Sequence, residues 1–438
     1  MSSVVTRFAP SPTGYLHAGN YRTAVFAYLF AKHSGGTFIV RIEDTDVARS
    51  KPEYEENIFE ALAWLTLPAD QQYRQSEHRA RHRECLEKLI ADNTAYISKE
   101  IPQNPGEREE VIRFKNPGGE VSFTDVIRGE ITTSVDDLGN FIIARSLDEP
   151  VFHFAVVVDD ADEKVTHVIR GGDHISNTAR QMLIQRALGL PLPFYAHLPL
   201  IMDNSHKKLG KRSGAKALTT YRDEGILPEA MLNYLAFLGW NPGDEREYLS
   251  RDELVREFDL SRVQKGSAIF DEIKLLSVNQ HWMRALSDDD FLAQTGVECP
   301  LSLVPLLKER AKTFKEVREM LSGELSCFFI EPILDRDTLL VKEPRERAGM
   351  TTPALEALSE LIKDLPNEPS VETVKNALMP FANAGEAKGK GGRGAVLWPL
   401  RYALSGQERS PDPFTLISIL GAKKTLSRIE RAIAVLKK

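Results

Sequence analysis

The sequence has few cysteines and no long apolar run. Its three cysteines, Cys85, Cys299 and Cys327, are far apart in 438 residues, so they fit neither a disulfide framework nor a zinc motif. We therefore expect a reduced, cytoplasmic protein that binds no zinc. No apolar segment is as long as a membrane span. The first apolar run contains Arg7, which is not typical of a signal peptide, so no membrane association is expected.

An excess of positive charge is also absent. The 56 Lys and Arg against 63 Asp and Glu give a net charge of −7, which argues against a general nucleic-acid coat. From Gly385 onward, however, eleven Lys or Arg stand against four Asp or Glu, and the basic segment 387–394 precedes Trp398 and Arg401. A basic helical tail favours contact with an RNA backbone. A solvated basic loop is the alternative interpretation of the segment.

The first part of the chain predicts a strand–helix–strand unit. Residues 4–9 are mostly apolar or β-branched and indicate a buried strand. The turn-forming run 10–14 ends that strand, and 21–32 has the composition of a helix. A second strand follows at 37–42. Strands joined through a helix lie parallel, so an α/β fold with a parallel sheet is expected.

Polar residues stand where such a unit binds ligands. His17 and Asn20 fall at the start of the helix, where free N–H groups and the helix dipole attract phosphate. Glu43 and Asp44 follow the second strand, at the edge of the sheet where open α/β folds bind ligands. The sequence therefore predicts a site for a phosphate-bearing ligand here.

This segment resembles the first signature of the class I aminoacyl-tRNA synthetases, and most closely that of the glutamyl-tRNA synthetases. The resemblance rests on three motifs in order: RFAPSPTG at 7–14, HAGN at 17–20 and RIEDTD at 41–46. The chain departs from the family at Ala18, where a larger aliphatic residue is usual. It also has Asn20 where class I enzymes often carry a second histidine, although an Asn can still donate a hydrogen bond to phosphate.

The middle of the chain predicts an insertion and then a return to the sheet. In residues 101–148, prolines and glycines separate short β patterns, so a small α+β insertion is expected. The nearly continuous apolar run 152–158 is typical of a strand buried on both faces. Further strands are expected at 166–170 and 196–202.

A basic loop follows at 203–215. Such a loop could close over a triphosphate and neutralise it, whereas a solvated basic loop is the alternative. The segment resembles the second class I signature, Lys-x-Ser-Lys-x, with Gly210 in place of serine. Its basic residues are Lys207, Lys208, Lys211 and Arg212.

The rest of the chain has helical patterns. Predicted helices in its last part are 304–320, 353–365, 371–379, 414–420 and 426–436. Together with the resemblance, these patterns imply a Rossmann-like catalytic domain with an insertion, followed by all-α domains. The implied boundaries are 1–100 and 149–205 for the catalytic domain, 101–148 for an acceptor-end-binding insertion, 206–285 for a helical connecting domain and 286–438 for a helical anticodon-binding domain.

The resemblance implies a monomeric glutamate–tRNA ligase that uses ATP and Mg²⁺. Such an enzyme forms glutamyl-adenylate from L-glutamate and passes the acyl group to the 3′ end of tRNA. The catalytic residues carried over from the family are His17, Asn20, Lys208 and Lys211, and the ATP site adds Gly19 and Leu209. The implied glutamate-binding residues are Arg7, Ala9, Ser11, Glu43, Phe152 and Arg170.

The two arginines of this pocket match the two carboxylates of glutamate, and Glu43 matches its ammonium group. We expect Glu43 to be the only counter-charge of Arg7 and Arg170. Which arginine holds which carboxylate is left open by the sequence. Most relatives have Tyr at the position of Phe152, so part of the pocket differs from theirs.

Two alternatives stand beside this hypothesis. The first is an enzyme that also charges glutamate onto glutamine tRNA, because the anticodon contacts are not assigned by the sequence. The second is a non-catalytic tRNA-binding paralogue, which the departures at Ala18, Phe152 and Gly210 permit. The charged residues of both signatures argue against the second alternative.

Overall fold

The computed structural model describes residues 3–101, 109–210, 215–343, 349–387 and 392–438. The predicted loop residues Lys211 and Arg212 lie outside the described residues, as does the central part of the basic segment 387–394. The chain divides into two compact units, Met1–Trp282 and Met283–Lys438. In the part of the chain that the structure describes, no helix is long and apolar enough to cross a membrane.

The first unit is organised around a seven-stranded sheet with the strand order β3-β2-β1-β10-β11-β6-β7. All neighbours in it pair in parallel except β6 and β7, which pair antiparallel. Its strands are β1 Val5–Phe8, β2 Thr37–Ile42, β3 Gln71–Arg74, β6 Glu120–Asp125, β7 Gly129–Ser134, β10 His167–Gly171 and β11 Phe194–Leu198. The remaining strands are β4 Ala95–Lys99, β5 Glu110–Phe114, β8 Phe141–Ser146, β9 Glu149–Pro150, β12 Ile201–Met202 and β13 Ala268–Ile269.

The strand order creates a crevice beside β1. From β1 the chain moves outward through β2 to β3, and it later returns to the other side of β1 as β10. The predicted parallel pairing of β1 with β2 is confirmed. Open α/β sheets bind ligands at the carboxyl ends of the strands where the order reverses. A ligand site is therefore expected at the carboxyl ends of β1 and β10.

Nine helices complete the described part of this unit, the last of them crossing its boundary. They are α1 Ala18–His33, α2 Pro52–Trp64, α3 Arg79–Ala91, α4 Phe152–Asp162, α5 Ile175–Leu188, α6 Leu218–Asp223, α7 Pro228–Ala236, α8 Arg251–Glu257 and α9 Glu272–Ala285. The first crossover helix, α1, connects β1 to β2 and is anchored on the sheet where the Thr6 hydroxyl donates to the Ala27 carbonyl at 2.8 Å. Close packing at the end of this crossover requires Gly36, because a Cβ there would lie 2.1 Å from the Val4 carbonyl oxygen.

The predicted strand at 152–158 is wrong, because these residues form the first part of α4. Periodicity does not distinguish a short apolar run in a strand from one in a buried helix. Here Phe154 to Val158 are all buried, so the helix is apolar on nearly every side. The buried carboxylates Asp159 and Asp160 continue the same helix, whereas the predicted strand ends at residue 158.

The predicted insertion is built into this unit. Its described part, 109–148, contains strands and one short 3₁₀ turn, so the expected helical content is absent from those residues. The hairpin β6–β7 extends the main sheet, because β6 pairs with β11. Strands β4, β5, β8 and β9 form a second, antiparallel sheet. Residues from both sheets share one apolar core with α3, α4 and α5. The four-part division of the chain stays a prediction.

The second unit is helical in its described residues. Its helices are α10 Asp288–Thr295, α11 Val304–Arg310, α12 Phe314–Ser322, α13 Arg336–Leu340, α14 Thr351–Lys363, α15 Val371–Ala387, α16 Gly392–Ser405 and α17 Pro413–Leu436. The single helix predicted at 304–320 is two helices, because Thr313 caps a new one with its hydroxyl oxygen, 3.1 Å from the Glu316 N–H. In α17, Gly421 has a φ of 76° and kinks the helix between the two segments predicted there.

Candidate active site

A cavity of about 520 Å³ lies at the carboxyl ends of β1, β2 and β10. The turn after β1, the start of α1 and the segment after β12 contribute the rest of its lining. Eleven of the twelve predicted site residues line this one cavity, and Lys211 lies outside the described residues. The eleven are Arg7, Ala9, Ser11, His17, Gly19, Asn20, Glu43, Phe152, Arg170, Lys208 and Leu209.

His17 caps α1 and presents its ring to the cavity. Its Nδ1 accepts a hydrogen bond from the Gly19 backbone N–H at 3.1 Å. In the neutral ring the proton therefore lies on Nε2, which makes that nitrogen a donor. The Asn20 Oδ1 atom accepts in return from the His17 backbone N–H at 3.2 Å and completes a capping box. The amide nitrogen of Asn20 is then its donor towards a ligand.

Glu43 reaches the cavity from a buried network of charges. Its Oε1 atom is 3.4 Å from Nη2 of Arg41, a fully buried side chain. Arg41 also contacts Asp160 at 2.8 Å and Glu163 at 2.6 Å. Burial raises the pKa of Glu43 to about 7, against the opposing effect of the nearby arginines. Its charge therefore changes near neutral pH.

Arg7 is held by a carboxylate that the sequence interpretation did not assign. Its Nε atom donates to Oδ1 of Asp160 at 3.1 Å, and both side chains are buried. The expectation that Glu43 would be the only counter-charge of the two pocket arginines is therefore wrong. Since the contact with Asp160 uses Nε, the terminal nitrogens of Arg7 are the groups with which it can bind a ligand carboxylate.

Arg170 has a different environment. It is 6% exposed, and its donors contact Thr178 Oγ1 at 2.7 Å and His197 Nε2 at 3.2 Å. Among the described residues, no carboxylate lies within ion-pair distance of it. Burial lowers the pKa of Arg170 to about 10, so it is still a cation at neutral pH. A buried cation without an anion is costly, and such a site favours an anionic ligand.

His197, which accepts a hydrogen bond from Arg170, is a neutral partner. Its Nδ1 atom is 2.7 Å from Oδ2 of Asp125, and since a carboxylate only accepts, Nδ1 carries the proton. The Nε2 lone pair is then available to accept from Arg170. Burial lowers the pKa of His197, which favours the neutral ring. Asp125 itself is fixed by the backbone N–H groups of Ile127 and Arg128, at 3.0 and 2.9 Å.

The remaining predicted residues lie on either side of these charges. Phe152, at the first turn of α4, has its ring centroid 5.7 Å from that of His174. The Nζ atom of Lys208 donates to Oδ2 of Asp173 at 2.8 Å. Both Asp173 and His174 line the cavity. Burial, together with the positive charge of Arg170, lowers the pKa of His174 to about 4, so this ring is neutral at physiological pH.

Sequence reasoning missed several residues of this site. Asp173 and His174 closely follow the predicted strand 166–170, and His197 lies within the predicted strand 196–202, but the sequence assigns a role to none of them. Arg22, which is 3% exposed, lines the cavity and donates to the carbonyl oxygens of Pro199 and Leu238. A single polar residue inside a buried run is the signal that could have identified His197.

The described residues contain no cluster of side chains suited to bind a metal ion. No group of three or more His, Cys, Asp or Glu side chains in that part of the chain could hold a metal ion. The expectation that the chain binds no zinc stays a prediction.

Comparison with known proteins assigns this arrangement to a family. The chain matches a family model described as tRNA synthetases class I (E and Q), catalytic domain, over residues 3–110 and 98–277. The chain belongs to this family. Residues 272–433 of this class I synthetase also match a model described as an anticodon binding domain.

Relatives of this class I synthetase match it over nearly the whole chain. A protein named glutamate–tRNA ligase from Aquifex aeolicus is 39% identical and is covered over 99% of both chains. Glutamate–tRNA ligase 2 from Coxiella burnetii is 38% identical over 99% of this chain and 98% of its own. A crystal structure of a glutamate tRNA ligase from Elizabethkingia meningosepticum is 33% identical, with a TM-score of 0.84, over 99% of this chain and 100% of that one.

Gly19→Ala is expected to slow adenylate formation by this synthetase. A Cβ at residue 19 would lie 2.9 Å from Cε1 and 3.0 Å from Nδ1 of His17, so the imidazole would have to move. Misplacement of a catalytic group by about 1 Å can cost about 10²-fold in rate. The rate is measured by glutamate-dependent exchange of pyrophosphate into ATP. In a His17→Ala background the same change should cost little, and an equal loss in both backgrounds would contradict this explanation.

Proposed function

We propose that this class I synthetase is a glutamate–tRNA ligase that activates L-glutamate with ATP and transfers it to the 3′ end of tRNA. The observation that carries the proposal is the buried Arg170 at the cavity, with no carboxylate partner among the described residues. Glutamate would supply that partner. Arg7 and Glu43 line the same cavity and are close enough to Arg170 to influence its pKa.

The charges of the pocket suit glutamate better than glutamine. Glutamate brings two carboxylates and one ammonium group, and the cavity offers two arginines and Glu43. Arg7 keeps Asp160 as an anion, but Arg170 has no carboxylate partner among the described residues. If Arg170 holds the side-chain carboxylate, glutamine would leave this buried arginine without an anion in a desolvated site. A pocket built around a charged partner rejects the neutral analogue strongly without editing. Ala9 and Ser11 line the turn beside Arg7, and Phe152 lines the wall beside His174.

ATP would bind at the other end of the cavity, where α1 begins. Nε2 of His17 and the amide of Asn20 would donate to its phosphates, beside Gly19 and Leu209. Lys208 would exchange Asp173 for the triphosphate as the basic loop closes, and the sequence adds Lys211 to that loop. This end therefore supplies donors and positive charge for the triphosphate.

Mg²⁺ would accompany ATP and partly neutralise its charge. The carboxylates that line the cavity are Glu43 and Asp173. We assign the first to the substrate ammonium, and the second is paired with Lys208, so no protein ligand is assigned to the ion.

The chemistry needs no protein nucleophile. The α-carboxylate of glutamate attacks the α-phosphate of ATP, and pyrophosphate leaves. A hydroxyl of the terminal ribose of tRNA then attacks the acyl carbon, and AMP leaves. The residues of the cavity act by holding the two substrates in line and by stabilising the charge that develops on the phosphates. The four-part division of the chain and its action as a cytoplasmic monomer belong to the same proposal.

Two assays test the function. Glutamate-dependent pyrophosphate exchange, with and without tRNA, separates an enzyme from a non-catalytic tRNA-binding paralogue and shows whether activation needs tRNA. Charging of purified glutamate and glutamine tRNAs then separates a discriminating enzyme from one that accepts both. No exchange under either condition would refute the proposal.

The KM for glutamate should rise as the pH falls through about 7, because that is where Glu43 gains a proton. Protonated Glu43 is neutral and no longer attracts the ammonium group, so affinity is greatest above its pKa and is lost below it. The KM is measured between about pH 6 and pH 8, and His174 is neutral throughout this range. Glu43→Gln should give a high KM without this acid limb. An acid limb preserved in that variant would assign it to another group.

A further inference from the structure

Asp160 is a buried carboxylate shared by two arginines. Its Oδ1 atom accepts from Nε of Arg7 at 3.1 Å and from Nη2 of Arg41 at 2.8 Å. It is 6% exposed and is not among the residues that line the cavity, so it lies behind Arg7 as seen from the cavity. It lies on α4, whereas Arg7 is on β1 and Arg41 on β2. One carboxylate oxygen thus connects two neighbouring strands of the sheet to the helix.

We propose that Asp160 is the positioning residue of the amino-acid pocket, which it orients through Arg7. The inference rests on the proposed function, since it names what holds one of the two arginines assigned to glutamate. Asp160 fixes Nε of Arg7, and charge-assisted bonds of this kind have a defined geometry. The terminal nitrogens of the guanidinium are thereby aimed in one direction before glutamate arrives. Such preorganisation lowers the cost of binding.

The same network reaches the other end of the amino acid. Arg41 is bound by Asp160 and lies 3.4 Å from Glu43, which is assigned to the substrate ammonium. The buried pair Arg41 and Asp160 therefore contacts two charged residues of the cavity: Asp160 contacts Arg7, and Arg41 contacts Glu43. The geometry of the site depends on a helix residue 153 positions away from Arg7 in the sequence.

The chain offers a matched control for this proposal. Glu163, on the turn after α4, binds Arg41 through Nη1 at 2.6 Å and is buried. No contact between Glu163 and Arg7 occurs among the described residues. Asp160→Asn and Glu163→Gln are isosteric changes at two buried carboxylates that both bind Arg41. Burial raises the pKa of Glu163 to about 7, so the variants are compared above that pH, where each change removes a negative charge. Only the first weakens the hold on Arg7.

The test compares the two variants in the full chain. Asp160→Asn should raise the KM for glutamate by at least about fivefold, because the bond to Arg7 loses its charge, while the KM for ATP stays near the parent value. Glu163→Gln should leave the KM for glutamate within about twofold. An equal rise in both variants, or no rise in Asp160→Asn, would overturn the proposal.

Further measurements distinguish a positioning role from a structural one. Thermal melts report the folding cost of each variant. In an Arg7→Lys background, which lacks Nε, Asp160→Asn should add little to the KM for glutamate; an additive effect would overturn the proposal. If Asp160→Asn does not fold, Asp160→Glu replaces it, with the same expectation, because the extra methylene displaces the carboxylate. A parent enzyme that fails to charge glutamate would refute the proposed function instead.

Discussion

Arg170→Gln should lower kcat/KM for glutamate by about two to four orders of magnitude. Removing one partner of a buried ion pair costs about 3–5 kcal/mol, and about 1.36 kcal/mol corresponds to a factor of ten. The large effect is expected because the neighbours of Arg170 among the described residues are neutral: Thr178, His197 and the ring of Tyr195. The charge of glutamate would therefore be its main anionic partner. Discrimination against glutamine should narrow in the same variant.

The measurement is pyrophosphate exchange with each amino acid at a range of concentrations. Arg428→Gln is a suitable control, because Arg428 is a buried arginine of the second unit, 3% exposed, that donates to the Leu404 carbonyl. It should cost stability without changing the KM for glutamate. If Arg170→Gln activated glutamate at nearly the parent rate, Arg170 would be a structural residue, and other groups would have to recognise the second carboxylate.

His17→Ala is expected to have the second large effect. Loss of one donor that stabilises a developing negative charge typically costs about 2.7–4 kcal/mol, or about two to three orders of magnitude in rate. The hydrogen bond from the Gly19 N–H fixes Nδ1 as the acceptor, so Nε2–H is the donor that would bind phosphate under the proposed function. The rate of adenylate formation should fall, while tRNA affinity stays nearly constant.

His17 also caps a helix, so the two roles must be separated. Asparagine is among the best N-cap residues, but its side chain is shorter than an imidazole. His17→Asn should therefore preserve the stability of α1 and still lower the rate of adenylate formation. His17→Ala should lower both the stability and the rate. A His17→Asn variant with parent activity would show that the histidine acts only as a cap.

The parts of the fold that follow from short-range patterns were predictable. The strand at 37–42 and the turn after β1 are determined by neighbouring residues. Most predicted site residues converge because they lie at or after the carboxyl ends of parallel strands, whereas Phe152 reaches the cavity from the first turn of α4. The signature motifs bring the chemistry of a known family to those positions. This explains why eleven scattered residues were placed in one cavity.

The errors arose where distant parts of the chain decide the outcome. Residues 152–158 are apolar enough for a buried strand or a buried helix, and only packing between α3, α5 and the two sheets selects the helix. The counter-charge of Arg7 comes from that same helix. Because the helix was interpreted as a strand, Asp160 was placed at its end and not beside β1. The pairing of β6 with β11 is likewise a long-range contact that no local pattern encodes.

The position of the β6–β7 hairpin limits how enzymes of this kind can be recombined. Residues 101–148 look in the sequence like a cassette that could be exchanged between relatives. In the fold, the Tyr195 carbonyl accepts from the Val126 N–H, and Asp125 holds both the backbone and the ring of His197, the neighbour of Arg170. A chimaera joined at these boundaries would replace two strands of the main sheet, β6 and β7, and the carboxylate that holds His197. Donor and recipient must therefore match at β11 as well as at the junctions.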